Sequence, residues 1–196
     1  MLMMQSELAN LGGLAEVSAG HPIRGAVREI PGGDVAVVQL KNVQADVPID
    51  WSSVARTLLP DGRRDPDWLK PGDVIFSARG HRNIAAFIDN PPARAVCSPH
   101  FFLLRTRRDR VLPEFLAWQI NLPEAQRYLA QSAEGSNIPS IRRQVLEAMP
   151  IRLPSLERQR ILARLADAAR REKQLLAQLI QNRERELDLV ARDLLA

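Results

Sequence analysis

Residues 155–196 read SLERQRILARLADAARREKQLLAQLIQNRERELDLVARDLLA, and this stretch decides the fold of the 196-residue chain. It contains no proline or glycine, whereas residues 1–154 contain all 14 prolines and all 10 glycines. Because both residue types interrupt helices, the contrast predicts a folded domain over 1–154 and one unbroken helix over 155–196. Ser155, directly after Pro154, is the predicted N-cap of that helix.

Apolar side chains recur along the predicted helix at spacings of mostly three, four or seven residues, which is typical of an amphipathic helix. They are Leu162, Leu165, Ala169, Leu176, Leu179, Ile180, Leu187, Val190 and Leu194. Glu172 and Arg183 interrupt this stripe. A helix of this length would extend about 63 Å, which is too long to lie wholly on a small domain. The stripe therefore predicts a coiled coil with another chain or an antiparallel copy; packing back on its own domain is the alternative.

The first 154 residues predict a mixed α+β domain, because strand and helix signals interleave without a regular βαβ rhythm. Strands are predicted at 35–40, 74–78, 84–88, 101–105 and 151–153. Helices are predicted at 5–11, 113–121, 123–133 and 141–148. Pro113 and Pro123 suit the first turns of two of these helices, and Ser140 is the predicted N-cap of the last.

Composition and motifs exclude several classes of protein. The single cysteine, Cys97, rules out a disulfide framework and a multi-cysteine zinc site, and fits a cytoplasmic protein. No stretch approaches the ~18 apolar residues of a membrane span. The sequence lacks a phosphate loop, a dinucleotide fingerprint and the spacing of a metal centre, so we expect no cofactor and no metal. Cys97 and His100 could form a nucleophile–base pair, but a structural cysteine is favoured, and we predict no catalytic residues.

Positive charge is concentrated in the middle of the chain. Of the 27 basic residues 24 are arginine, and residues 70–110 hold eight basic and three acidic side chains. This distribution is expected of a protein with one face toward a polyanion.

Three clusters are the candidate contacts of that face. The first is the loop with Arg79, His81, Arg82 and Asn83, the second contains Arg105 and Arg107, and the third is Arg142 and Arg143. Arginine donors suit phosphates and guanine edges. The alternatives are a solvated hairpin loop for the first cluster and a charged strand edge that prevents aggregation for the second.

Five segments, in order, resemble the specificity (S) subunits of type I restriction–modification systems. They are Leu11 to Gly25, LKPGDVIFSARG (69–80), LPEFL (112–116), Gly135 to Ile141, and MPIRLPSLERQ (149–159). Arg158 stands where the family usually has Glu. The resemblance covers nearly the whole chain, but S subunits usually carry two recognition domains and two long helices, and this chain has one of each.

The resemblance implies a target recognition domain that binds double-stranded DNA, with Ser136 and Asn137 in its glycine loop. It further implies a non-catalytic subunit that directs partner DNA adenine methyltransferase and restriction subunits to a bipartite target. Two copies, or this chain and a different half-subunit, would pair through the 155–196 helix. The competing hypothesis is a coiled-coil scaffold protein that does not read DNA.

Overall fold

The computed structural model describes residues 7–23, 25–45, 47–59, 66–80, 82–135 and 139–195. The strands are β1 Glu7–Asn10, β2 Ala15–Ala19, β3 Val35–Val38, β4 Arg56–Thr57, β5 Val74–Ser77, β6 Ala85–Phe87, β7 Ala95–Cys97, β8 Phe101–Thr106 and β9 Pro150–Leu153. The helices are α1 Pro113–Ile120, α2 Pro123–Ser132, α3 Arg143–Ala148 and α4 Leu156–Leu195. This is the α+β architecture that the sequence predicts.

The strand β5 lies inside the largest sheet and is covered on both of its faces. That sheet has the order β2-β8-β5-β6 and is antiparallel throughout. Side chains alternate between the faces of a strand, so Val74 and Phe76 pack with the helices while Ile75 packs with β3 and β7. This two-sided burial explains why the sequence VIFS is apolar rather than alternating.

Two smaller sheets complete the body. The strands β4, β3 and β7 form a three-stranded sheet in which β3 pairs with β4 antiparallel and with β7 in parallel. This sheet covers one face of the large sheet. The strands β1 and β9 pair antiparallel, which brings the beginning of the chain next to the segment that leads into α4.

A buried glutamine holds the start of α4 against the body. The Gln159 side chain is fully buried and accepts a hydrogen bond of 2.9 Å from the Leu112 N–H. Its amide donates to the carbonyl oxygens of Arg110 and Pro154 over 3.0 and 2.9 Å. One turn further, Leu162 packs against the main core. The direction of α4 relative to the body is therefore fixed within its first two turns.

The structure confirms most predicted elements and corrects several. The strands and helices predicted from residue 74 onward are present, with ends shifted by one or two residues. The predicted helix at 5–11 is wrong, because residues 7–10 form a strand that pairs with β9. Ser140 is not the N-cap of α3, since that helix begins at Arg143 with Arg142 before it. The strands β2, β4 and β7 were not predicted.

Candidate nucleic-acid interface

The loop 78–83 connects β5 to β6, and polar groups close its base. The Ser77 hydroxyl donates to the Arg82 carbonyl oxygen over 2.7 Å and accepts from the Ile84 N–H over 2.6 Å. The Asn83 amide donates to the Ser77 carbonyl oxygen over 2.9 Å. These bonds give Asn83 a structural role at the base of the loop, while the Arg82 side chain is exposed.

A second segment of the chain, residues 139–141, lies directly against this loop. The Gly80 N–H donates to the Pro139 carbonyl oxygen over 3.0 Å, and the Ile141 N–H donates to the Ala78 carbonyl oxygen over 2.8 Å. Gly80 has a φ of 105°, a conformation that glycine adopts without strain. The exposed residue Arg79 forms an isolated β-bridge with Ser140. The contact therefore joins the first and third predicted clusters.

Four exposed arginines lie within a few residues of this contact: Arg79, Arg82, Arg142 and Arg143. Arg142 forms a 2.6 Å ion pair with Glu134, and Arg143 forms a 2.7 Å pair with Glu147 one helical turn away. The two arginine side chains are 69% and 56% exposed. Since exposed ion pairs contribute only about 0–1 kcal/mol, a phosphate group can compete with these carboxylates for the guanidinium groups.

The second predicted cluster lies at the opposite end of the sheet. In the β5–β8 ladder Ser77 pairs with Phe101 and Val74 with Leu104, so Arg105 lies beyond the far end of β5. Arg107 follows the end of β8 and is exposed. The clusters are separated by roughly 14 Å of strand, at about 3.4 Å per residue. Arg79 and these two arginines therefore lie toward opposite ends of the sheet.

Arg105 is held by groups of its own chain. It forms ion pairs of 2.5 Å with Asp67 and 3.2 Å with Asp73, and it donates to the Trp68 carbonyl oxygen over 2.9 Å. Desolvation lowers the pKa of Arg105, but the hydrogen bonds that its guanidinium donates to Asp73 and Asp67 outweigh this effect and raise the pKa above its usual value. These contacts join β8 to the turn before β5, which indicates a structural role.

The remaining predicted residues of the interface, His81, Ser136 and Asn137, lie outside the described residues. Two side-chain amides that the sequence analysis did not single out, those of Asn121 and Gln126, form hydrogen bonds at the base of the loop 78–83. The Asn121 side chain accepts from the Ala85 N–H over 2.9 Å and donates to the Ala85 carbonyl oxygen over 2.8 Å. The Gln126 amide donates to the Asn83 carbonyl oxygen over 2.8 Å. In the sequence, Pro123 was the signal that one helix ends and another begins here, between α1 and α2.

The apolar stripe of α4 is exposed beyond its first turns. Leu165, Leu176, Leu179, Ile180, Leu187, Val190 and Leu194 have exposed fractions between 52% and 78%. Ala169 is exposed as well, and only Leu162 of the predicted partner residues packs against its own domain. Within the described part of the chain the distal half of α4 contacts no other element that would cover this stripe.

The described residues offer little support for a catalytic role. Cys97 lies in β7 and is 2% exposed, and burial raises the pKa of its thiol to about 12, so the reactive thiolate is disfavoured. No group of three or more potential metal-ligating side chains occurs in the described ranges. None of the described helices is both long and apolar enough to cross a membrane.

Comparisons with known proteins identify the fold. No protein-family profile and no curated protein matches the sequence. Among solved structures, the HsdS subunit from Thermoanaerobacter tengcongensis has a TM-score of 0.68 at 20% identity, covering 96% of this chain and 48% of that one. The type I restriction–modification S subunit from M. genitalium has a TM-score of 0.61 at 15% identity, covering 94% of this chain and 45% of that one.

A third solved structure, which concerns complex assembly and conformational transition of the type I R-M system, has a TM-score of 0.70 at 20% identity. The match covers 100% of this chain and 50% of that one. This chain therefore has the fold of one half of a type I S subunit, a recognition-type domain followed by a long helix. It spans about half the length of the S-subunit structures that it matches.

Proposed function

We propose that this chain is a sequence-specific DNA-binding subunit without catalytic groups of its own, equivalent to half of a type I S subunit. The fold shared with S subunits over nearly the whole chain supports this role. The observation that carries the proposal is the contact between the loop 78–83 and the segment 139–141, because four exposed arginines lie within a few residues of it.

The two kinds of contact in such a surface have different consequences. Arginine contacts with phosphates supply affinity that depends on salt but not on sequence. Contacts with base edges supply sequence discrimination, at about 1–3 kcal/mol for each good pair. We assign the loop 78–83 and the segment 135–143 to DNA, including His81, Ser136 and Asn137. Arg105, which is paired with Asp67 and Asp73, and Arg107, near the other end of the sheet, are left out of this proposed surface.

Reading a bipartite target requires two recognition domains, and residues 1–154 provide one. We propose that the exposed stripe of α4 provides the pairing surface, with a second copy or a different half-subunit as the partner. The assembled pair would direct partner DNA adenine methyltransferase and restriction subunits to the target. A two-fold symmetric pair would prefer an inverted repeat with an unread spacer.

The direct test is a titration of DNA binding with arginine variants at both ends of the sheet. The Arg79→Ala and Arg82→Ala variants are expected to weaken binding, by about 1–3 kcal/mol where a base contact is lost. The matched control is Arg107→Ala, an exposed arginine at the opposite end, which is expected to leave binding unchanged. Fluorescence anisotropy at low salt measures all three.

Two results would contradict the proposal. A flat titration of the unaltered protein at low salt would favour the scaffold hypothesis, in which α4 gathers protein partners and the domain ignores DNA. Loss of binding in Arg107→Ala, with Arg79→Ala and Arg82→Ala unaffected, would move the interface to the other end of the sheet.

A further inference from the structure

Three short segments of the chain form a small antiparallel ribbon at the candidate interface. Ser140 lies in the middle segment, with an isolated β-bridge to Arg79 on one side and one to Glu134 on the other. Glu134 and Ser140 exchange both backbone hydrogen bonds, of 3.1 and 2.9 Å. At the Cα spacings usual for such pairs, Glu134 lies about 10 Å from Arg79 across the ribbon.

The side chains of these three residues lie on one face of the ribbon, because directly opposed residues of an antiparallel pair project to the same side. Ile141, the residue after Ser140, is 3% exposed and packs in the main core, which places Ser140 on the outer face. Arg142 follows with an extended backbone, at φ −73° and ψ 150°, and projects outward again. The outer face therefore carries Arg79, Ser140, Glu134 and Arg142.

Glu134 brings a negative charge to this otherwise basic face. Its carboxylate forms the 2.6 Å ion pair with Nη2 of Arg142. The two side chains are 50% and 69% exposed, so a ligand can reach both of them. A guanidinium group has several N–H donors, and one carboxylate does not occupy all of them. The paired Arg142 is therefore a hydrogen-bond donor with little net charge.

Loss of net charge affects the two kinds of DNA contact differently. A phosphate group is attracted mainly by positive charge, and a neighbouring carboxylate repels it. A base edge is neutral and requires donors in the right place, which arginine supplies to guanine. An arginine that is paired with a carboxylate therefore keeps donors for a base edge and loses much of its attraction for a phosphate.

We propose that Glu134 is a specificity-determining residue, which makes Arg142 favour base edges over phosphates. This inference rests on the proposed DNA-binding role and specifies what an acidic residue contributes to it. Glu134 weakens sequence-independent binding, so that a larger share of the binding free energy comes from contacts that depend on sequence.

The test compares Glu134→Gln with the unaltered chain on two duplexes, by fluorescence anisotropy at about 0.1 M salt, where charges act over about 10 Å. One duplex has a random sequence, and the other is enriched from a random pool by the unaltered chain. The substitution keeps the shape of the side chain but removes its charge. Binding to the random duplex is expected to tighten about fivefold or more, and binding to the enriched duplex to change less than about twofold.

The salt dependence of binding to the random duplex gives a second readout. Without its carboxylate partner Arg142 can neutralise a phosphate, so the slope of the logarithm of the association constant against that of salt concentration should become steeper by about one for each bound copy. A damaged fold would weaken binding and make the slope shallower, so it cannot imitate this result.

The matched control is Glu186→Gln, which removes the same charge from an exposed 2.6 Å ion pair with Arg183. Glu186 lies about 45 Å along α4 from its first turn, so the change should leave the affinity for both duplexes within about twofold. Glu134→Asp keeps the charge and should bind the random duplex like the unaltered chain.

Arg142→Ala tests the other member of the pair. Its loss is expected to weaken binding to the enriched duplex about tenfold, because a base contact is removed. The affinity for the random duplex should change less than about twofold, since the paired arginine contributes little attraction for phosphates.

The outcomes for this inference and for the DNA-binding role are separable. No gain of Glu134→Gln on the random duplex, or an equal gain on both duplexes, would overturn this inference alone. The same gain in Glu186→Gln would also overturn it, because net charge would then be the cause. Absence of binding by both the unaltered chain and Glu134→Gln would contradict the DNA-binding role, and this inference with it.

Discussion

At the scale of single residues, the structure assigns firm roles to side chains that stabilise the body. Gln159 and Arg105 are each surrounded by partners of their own chain. Substitution of either residue should therefore affect the stability of the fold more than it affects DNA binding. The exposed arginines at the loop 78–83 are the opposite case, because they contribute little to the core.

Gln159 provides the sharpest test of a structural residue. We expect Gln159→Leu to lower the free energy of unfolding by about 2–4 kcal/mol, because the Leu112 N–H and two carbonyl oxygens lose their buried partner. Urea denaturation measures the change. The control Gln178→Leu alters an exposed glutamine of the same helix and should leave the stability of the body unchanged. Equal stability of both variants would contradict the role of Gln159.

We expect the Cys97 thiol to be unreactive in the folded protein. Burial raises the pKa of its thiol to about 12, so almost none is thiolate at pH 8, and the 2% exposed side chain blocks access. Thiol-reactive reagents should modify the unfolded protein and spare the folded one at that pH. Rapid modification of folded protein would revive the hypothesis of a Cys97–His100 catalytic pair.

At the scale of elements, local signals predicted some structures and long-range pairing decided others. Strand β5 was predictable because the turn at Pro71-Gly72 precedes a run of β-forming residues. Strand β1 was not, because Glu7–Asn10 becomes a strand only by pairing with β9, far away in the sequence. The contact of the loop 78–83 with 139–141 likewise joins segments that are far apart in the sequence. The arginines could therefore be identified from the sequence, but the contact that brings their segments together could not.

Removing the distal half of α4 is expected to leave a folded body. The contacts of α4 with the body lie in its first turns, at Gln159, Leu162 and Ala163. A chain that ends at residue 174 should therefore keep a cooperative unfolding transition and lose self-association. Calorimetry and light scattering measure the two properties. A truncated chain that still dimerises would contradict pairing through the distal stripe.

At the scale of the whole molecule, the proposed pair carries two recognition domains at the ends of a common rod. In an antiparallel pair the two α4 helices would begin at opposite ends of this rod. Four exposed arginines on each domain make the complex with DNA sensitive to salt. The geometry and the charge together predict that a paired chain reads two separated half-sites.

The salt dependence of DNA binding follows from the number of phosphate contacts. If all four arginines of both copies contact phosphates, the logarithm of the association constant should fall with the logarithm of salt concentration with a slope of about −7. Arg82→Ala should make that slope shallower by about two, one for each copy, if Arg82 contacts a phosphate. Anisotropy titrations across a salt series measure it, and a slope near zero would contradict the arginine surface.

The most direct measurement of the central claim is selection of bound sequences from a pool of random DNA duplexes by the unaltered chain. The account predicts enrichment of an inverted repeat whose two half-sites flank a spacer of fixed length and random sequence. Enrichment of no sequence, with binding absent at low salt, would contradict the claim that this protein selects DNA targets.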